Sequence, residues 1–589
     1  MKKILSQLLP SFEHKILAAD GSTITDLNEI NNIPIENLVF DSREVTAGSL
    51  FFALPGTHID GNTFIAQAIE KGANAVVFQG QLTDVIQQEV AKAIIKRSLD
   101  NGISDDQPKF APVLIQVPDA RFSMAPLSAC FYDNPSERLV VIGVTGTEGK
   151  SSTVSFIWQL LRACGKKAGF ISTVEYSFGG EAVPNPQHQT TPEAPIIQHH
   201  LNQMLENGCR YAVVETSSHG LSPRLNRTGN INFDCGAFMN VTLEHLEFHK
   251  TFEQYRDDKA NLFRKLDISA HTKTIGGEKV KITPVGIVNL EDPSAEYFVK
   301  ATKQKVWGFT TNGLAGRKAD TGAAGDAAKA AGDAAGKEGG TSISQASLPK
   351  IPAGIPYMTA SNIISDSKSL SFTVTESTGK SYEVKSKLPG AFNAYNLMAS
   401  IIAVSSMTGL STEEVASKIP ELTPIKGRMT VINQGQPFEL IVDYAHTPSS
   451  FETIFPPIRK RCKGKMICVF GSGGERDLTK RPLQGEIAAR FCDTVILADE
   501  DPRGEDPVEL LKMIAVGAEK AGKKMGENLF ITHERPKAIR QAFSLAGEDD
   551  IVLLLGKSHE NSIIYKNGAI PYDEISEAEK ALEEMNYKK

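Results

Sequence analysis

A chain of 589 residues is too long for a single hydrophobic core, so three or four domains are expected. Apolar residues at 41% and charged residues at 23% exclude a disordered or fibrous chain, and a net charge of −7 excludes a global basic field recruiting nucleic acid or anionic membrane. The seven cysteines form no C-x-x-C pair and read as reduced, mostly buried thiols of a cytosolic protein, and no stretch reaches the length of a membrane span.

From about Ile33 to Val117, short apolar runs such as Ala73–Phe78 and Leu114–Val117 alternate with helical stretches and predict a small α/β domain. A second α/β region opens with a strand over Leu139–Val144. This strand runs directly into Gly146-Thr147-Glu148-Gly149-Lys150-Ser151-Ser152, and an amphipathic helix is expected from Thr153 to about Cys164. Strand, glycine loop and helix in that order make a phosphate cradle. Glycines let backbone N–H groups close on anionic oxygens, and the helix N-terminus adds its positive dipole end. Lys150 can reach the outer phosphates and the Ser151 hydroxyl can sit on Mg²⁺, although Val144 stands where the commonest such loop has its first glycine. The chain is therefore expected to bind a nucleoside triphosphate.

Further strands are expected near Ala212–Val214, Phe233–Phe238 and Val285–Val288. The first runs into Glu215-Thr216-Ser217-Ser218-His219, and the second precedes Asn240 through His249. A metal–nucleotide site needs hard oxygen ligands with occasional imidazole help, which makes Glu215 and His245 candidates. His245 and His249 also stand at the i,i+4 spacing of a zinc pair, but no third ligand accompanies them. Between Gly313 and Lys350 the composition turns to Ala, Gly, Asp and Lys, with no large apolar residue from Ala315 to Thr341, as expected of a disordered insertion. Strand-like alternation returns at Leu370–Val374, and a helix is expected from about Ala394. A third region begins near Gly427, with strands at Leu440–Val442, Met466–Phe470, Thr494–Ala498 and Ile551–Leu555. Each ends in polar residues, where open α/β sheets place their ligands.

Taken in order, these elements resemble those of the Mur ligases, ATP-dependent amide-forming enzymes of peptidoglycan synthesis. The likeness rests on Gly146 to Ser152, Glu215 to His219, Asn240 with Glu244-His245-Leu246, Lys259, Gly390 to Asn393 with Asn396, Gly427-Arg428 and Asp443 to Pro448. Within the family it is nearest the branch that adds the third residue of the stem peptide. Asp41-Ser42-Arg43 through Gly61, Thr190-Thr191-Pro192, Gly471 through Pro482, Asp501-Pro502-Arg503 and Gly556 through Glu560 carry that likeness.

The resemblance implies three α/β domains: a UDP-binding domain over 1–136, a P-loop ATPase-like domain over 137–424 and a Rossmann-like amino-acid-binding domain over 425–589. It implies UDP-MurNAc-L-Ala-D-Glu, ATP and a diamino acid as substrates, Mg²⁺ as cofactor, and a monomer. By that likeness Lys150, Glu215, His245 and Lys259 are catalytic. Ser151, Glu215, His245 and Lys259 hold metal, the lysine as its CO₂-derived carbamate, an anion where an ammonium would repel Mg²⁺. Asn289, Asn396, Arg428 and Asp443 join the phosphate loop around ATP. Ser42, Thr57, His58, Ile59, Gln189, Thr190, Thr191 and Ser217 face the UDP substrate. Arg476, Glu500, Asp501, Pro502, Arg503, Gly556 and Glu560 face the amino acid.

The chain also departs from the family pattern. Gln189 replaces Asn and Glu244 replaces Asp. Pro223 and Leu225 stand where Gln and Arg are expected, leaving Arg224 or Arg227 to supply the guanidinium. The usual Asp-Asn-Pro-Arg reads Glu500-Asp501-Pro502-Arg503. Arg503 and Arg476 can each fork onto a carboxylate, as meso-diaminopimelate requires, whereas Asp501 adds a negative charge that favours lysine or ornithine. Diaminopimelate is the preferred reading. The alternatives are a folylpolyglutamate-synthetase-like ligase, against which Asp41-Ser42-Arg43 speaks, a P-loop ATPase, and a non-catalytic binding protein of the same fold.

Overall fold

The computed structural model describes residues 2–18, 22–24, 30–56, 59–100, 111–186, 189–242, 244–311, 354–366 and 368–588, the side chains of 98–100 excepted. The insertion expected over 313–350 lies wholly outside the described residues, as do Thr57 and His58.

Three sheets follow one another along the chain. The first has five strands in the order Lys15–Leu17, Val113–Val117, Ala75–Gln79, Ser49–Ala53, Asn37–Val39, parallel except for the first. The second has eleven. Its parallel heart is ordered Ala168–Ile171, Tyr211–Glu215, Val140–Thr145, Cys235–Phe238, Val285–Asn289, Lys305–Thr310, Tyr357–Ser365, with antiparallel strands at both margins. The third has six, ordered Thr430–Ile432, Glu439–Asp443, Ile551–Leu555, Met466–Phe470, Thr494–Leu497, Leu529–Ile531, again parallel apart from the first. Each sheet has an apolar core on both faces, which is why strands such as Val140–Thr145 and Met466–Phe470 are buried at every position and read as unbroken apolar runs.

In the second sheet the chain leaves Val140–Thr145 toward Ala168–Ile171 and Tyr211–Glu215 on one side, then crosses to Cys235–Phe238 on the other. Val140–Thr145 is thus the strand at which the order reverses. A crevice opens at its C-terminal end, where doubly wound sheets bind ligands. The helix after it spans Lys150–Ala163, starting three residues before the expected Thr153. Its first turn is the polar Lys150-Ser151-Ser152, capped by Gly149 at φ +82°, and the apolar stripe begins only one turn later. That helix packs against Asn393–Thr408, which brings Asn396 to the loop.

Candidate active site

The phosphate loop is held from three sides. The Asn240 side-chain oxygen accepts from the N–H groups of Thr147 (3.1 Å) and Glu148 (2.8 Å). The Thr147 hydroxyl lies 3.0 Å from the Tyr255 hydroxyl, and Lys259 Nζ donates to the Gly146 carbonyl at 2.7 Å. Both partners sit on the helix Phe252–Ile268. Gly149 must be glycine on two counts: its left-handed φ, and a Cβ there would lie 2.7 Å from Asn396 Oδ1. Lys150 folds back so that Nζ donates to the Thr147 carbonyl at 2.7 Å.

Glu215 ends its strand at the mouth of this loop. Its carboxylate accepts from the Thr173 N–H (2.9 Å), the Thr173 hydroxyl (3.0 Å) and the Ser151 hydroxyl (3.1 Å). A hydroxyl and a carboxylate so placed are hard oxygen donors that suit Mg²⁺ shared with phosphate oxygens. His245, in the left-handed region at φ +57°, lies 3.3 Å from Glu247 and 3.7 Å from Glu244. Burial raises the pKa of both acids. Nearby charges outweigh it, holding Glu244 at about 2 through His245, His446, Lys480 and Lys150, and Glu247 at about 2 through His245 and Arg476. Burial, reinforced by Lys150, pushes Lys259 well below the usual lysine range. The His245–His249 pair, which lacks a third zinc ligand in the sequence, finds none among the described residues, and the two ring nitrogens of His249 are bonded to Asp258 (2.7 Å) and Ser218 (2.9 Å). Among the described residues, no three His, Cys, Asp or Glu side chains are grouped to hold a metal.

Two cavities share the loop. One of about 440 Å³ is lined by Asn289, Asn396, Arg428 and Asp443, with Phe392 and Tyr395 offering an aromatic wall. Arg428 donates to the Ser151 hydroxyl at 3.2 Å and lies 4.7 Å over the Tyr444 ring. Asp443 takes the N–H groups of Met429 and Ala445, each at 2.8 Å, and so shapes the turn that carries Arg428. The other, about 390 Å³, runs from Lys150, Ser151 and Glu215 past Glu244 and His245 to Arg476, Glu500, Asp501, Arg503 and Glu560.

At that far end Asp501 shares a buried lysine with Glu560. Lys557, fully buried, donates to Asp501 at 2.8 Å and also to Glu560, and the Ile564 N–H bonds Asp501 at 2.9 Å. Arg503, left-handed at φ +55°, has no side-chain hydrogen bond or ion pair among the described residues, and Arg476 only a 3.7 Å approach to Glu247. Glu500 is half-buried, and its Oε2 is shielded from solvent with no hydrogen-bond partner among the described residues. Gly556, at φ +95°, leaves room for it, since a Cβ there would lie 2.8 Å from that oxygen. Pro502 precedes Arg503, buried.

The residues expected on the UDP substrate are divided. Thr190 and Thr191 join Glu215: Thr190 lies 3.0 Å from the Thr173 hydroxyl, and Thr191 bonds both the Glu215 carbonyl (3.0 Å) and the Ser217 N–H (2.8 Å). Gln189 is exposed beside them. Arg227 donates to the Thr191 carbonyl (3.0 Å) and pairs with Glu193 (2.8 Å), whereas Arg224 is exposed and lies over the Phe248 ring. Ser42 and Ile59 belong to the first unit, Ile59 exposed. Thr173, which the sequence did not single out, and Tyr444, His446, Thr447 and Lys480, which lay inside the family motifs without an assigned role, also line the second cavity. The signal for His446 and Thr447 was their place just beyond the strand Glu439–Asp443. Among the described residues, no helix is long and apolar enough to cross a membrane.

The chain matches three family models: the Mur ligase family catalytic domain over 34–113, the Mur ligase middle domain over 144–404, and the Mur ligase glutamate ligase domain over 427–558. It is 50% identical over 564 residues to a UDP-N-acetylmuramyl-tripeptide synthetase of Treponema denticola, covering 93% of this chain and 94% of that one. It is 33% identical over 554 residues to a UDP-N-acetylmuramoyl-L-alanyl-D-glutamate–2,6-diaminopimelate ligase of Geobacillus kaustophilus, covering 94% and 96%. A solved structure of a ligase with that last description superposes with a TM-score of 0.56 at 23% identity, covering both chains completely, a likeness of fold.

Proposed function

This chain belongs to the Mur ligase family, and from that premise we propose that it is an ATP-dependent ligase of the tripeptide-synthetase type, adding meso-diaminopimelate to UDP-MurNAc-L-Ala-D-Glu in the cytoplasm. The observation that carries the reading is the cavity running from Lys150 and Glu215 to the loops bearing Arg476 and Arg503. An acid activated at one end can there be met by an amine held at the other.

In this reading the D-glutamyl carboxylate attacks the γ-phosphorus of ATP, giving an acyl phosphate and ADP, and the incoming amine then displaces phosphate. Both steps gather anionic oxygens, so the protein contributes mainly position and opposite charge. Lys150 and the loop N–H groups meet the phosphates. Mg²⁺, held by Ser151, Glu215, His245 and the carbamate of Lys259, supplies further charge neutralisation when bound. The depressed pKa of Lys259 supports carbamylation, because only a neutral amine has the lone pair that attacks CO₂. The Asn289, Asn396, Arg428 and Asp443 cavity takes the adenosine end. Thr190, Thr191 and Ser217 receive the dipeptide. Arg227, tied to the Thr191 carbonyl, is preferred to Arg224 as the replacement guanidinium. We divide the chain at 136/137 and 424/425 and take it to act as a monomer.

Diaminopimelate is preferred because the Arg503 side chain has no hydrogen bond or ion pair among the described residues, while Lys557 lies between Asp501 and Glu560 and takes part of their charge. The unpartnered carboxyl oxygen of Glu500 favours a second reading, an acceptor whose side chain ends in an ammonium. Phosphate release with ATP, Mg²⁺ and UDP-MurNAc-L-Ala-D-Glu decides between them when diaminopimelate, L-lysine and L-ornithine are offered separately. Turnover with diaminopimelate alone, lost roughly 10²-fold or more on Arg503→Ala, supports the first. Turnover with lysine or ornithine alone would transfer the role to Glu500, and silence with all three would overturn the tripeptide-synthetase reading.

A further inference from the structure

An amino acid reaches its ligase as an ammonium, which has no lone pair for the acyl carbon. The second step therefore needs a proton acceptor, and neither the phosphate loop nor Arg503 can serve.

His446 stands in the loop between the strand Glu439–Asp443 and the helix Pro448–Arg461, and it lines the cavity that joins the two ends of the reaction. Its Nδ1 lies 2.8 Å from the Tyr444 carbonyl oxygen. A carbonyl only accepts, so Nδ1 carries the hydrogen, and in the neutral ring Nε2 keeps its lone pair. Nε2 faces Glu244 Oε1 at 3.8 Å. The ring is fixed from its other sides too: the Tyr444 ring lies 4.6 Å away, and Gln484 donates to the His446 carbonyl at 2.7 Å.

We propose that His446 is the proton acceptor of the amine-transfer step, an inference that rests on the acyl-phosphate reading above. Nε2 removes one proton from the incoming ammonium, and the freed lone pair forms the C–N bond at the glutamyl carbonyl carbon. The C–O bond to phosphate then breaks, the second N–H proton leaves with the phosphate, and the imidazolium returns its proton to water. Glu244 is the counter-ion that stabilises the imidazolium while it lasts.

The charged groups around the ring agree with this assignment. Burial and Lys480 push His446 down, Glu244 and Glu148 pull it up, and the balance falls below the ordinary histidine value, leaving the ring neutral and able to accept at neutral pH. Glu148, the other carboxylate acting on the ring, is already bonded by the Thr447 hydroxyl at 2.9 Å.

The test compares two nucleophiles on the full-length chain with ATP, Mg²⁺ and UDP-MurNAc-L-Ala-D-Glu: the amino acid, which arrives protonated, and hydroxylamine, which is already neutral near pH 7. His446→Gln should lower the amino-acid rate roughly 10²- to 10⁴-fold while hydroxamate formation stays close to the parent's. Its residual amino-acid rate should climb with pH in step with the free amine. Glu244→Gln, which keeps the ring and removes its counter-ion, should move the acid limb of the amino-acid rate to lower pH, and it carries the test alone if His446→Gln does not fold. Equal loss with both nucleophiles, or a Glu244→Gln profile identical to the parent's, would overturn the assignment. A parent chain that forms tripeptide but leaves His446→Gln unimpaired sinks this inference alone, whereas a parent forming neither product sinks the acyl-phosphate reading with it.

Discussion

Lys150 illustrates how one side chain can be dispensable for folding and indispensable for chemistry. Among the described residues its side chain bonds only the Thr147 carbonyl three residues back, so the loop is held by Asn240, Tyr255 and Lys259 rather than by it. Lys150→Ala should leave the melting temperature nearly unchanged and lower turnover by at least roughly 10³-fold, since a charge aimed at the transferred phosphoryl group is lost. Near-normal phosphate release from a folded Lys150→Ala would contradict the mechanism. His200 makes a different prediction, about stability. Burial against Tyr176 and Phe178 pushes it down to about 4 from an ordinary 6.5. The unfolded chain therefore binds the proton first, and this contribution is complete above pH 6.5 and lost as the pH falls toward 4. At pH 5 the loss is at most about 2 kcal/mol, a few degrees in melting temperature. The drop between pH 7 and pH 5 should shrink in His200→Phe, and an unchanged drop would show that other groups carry it.

Among the elements, the central parallel strands were the most readable because they are covered on both faces. Continuous runs such as Met466–Phe470 and Ile551–Leu555 appear with the boundaries the composition suggests. The early start of the helix at Lys150 was not readable, since a polar first turn gives no apolar period to detect. Nor were the pairings Lys557–Asp501 and Arg227–Glu193, which join residues far apart in sequence and depend on which strand ends lie side by side. The motifs identified which residue types meet at the site, and the fold determined which charges are already offset there. The same element-level reasoning bears on the Ala/Gly-rich segment. Lys305–Thr310 and Tyr357–Ser365 are parallel neighbours, so residues 311–356 must return the chain across the length of a strand. Such a crossover needs about a dozen residues. Deleting 315–340 leaves more than that, so turnover and melting temperature should stay close to the parent's. A large fall in either would show that the deleted residues make contacts of their own.

At the scale of the molecule, the three sheets have separate cores, yet the cavity proposed for adenosine is lined from two of the units: Asn289 and Asn396 from the second, Arg428 and Asp443 from the third. The same two units touch directly at the loop, where Thr447 donates to Glu148 at 2.9 Å, Thr242 to Ser449 at 3.2 Å and Arg428 to Ser151 at 3.2 Å. A ligand bound across that seam stabilises only a state in which both units are folded and apposed. Uridine diphosphate, by contrast, should act on the first unit. That unit meets the second along the helices Ala120–Phe131 and Ala194–Glu206, with Arg121 on Glu193 at 3.0 Å beside them. ADP with Mg²⁺ at a hundred times its dissociation constant adds about 2.7 kcal/mol to whatever unfolds with the site. In scanning calorimetry it should raise the transition of the second and third units together by several degrees. Uridine diphosphate should raise the first unit's transition and leave the others near their starting values. If ADP shifted the third unit not at all, the residues after Gly427 would not be part of the nucleotide site. Closure of the third unit onto the phosphate loop would then have to be driven by the amino acid instead.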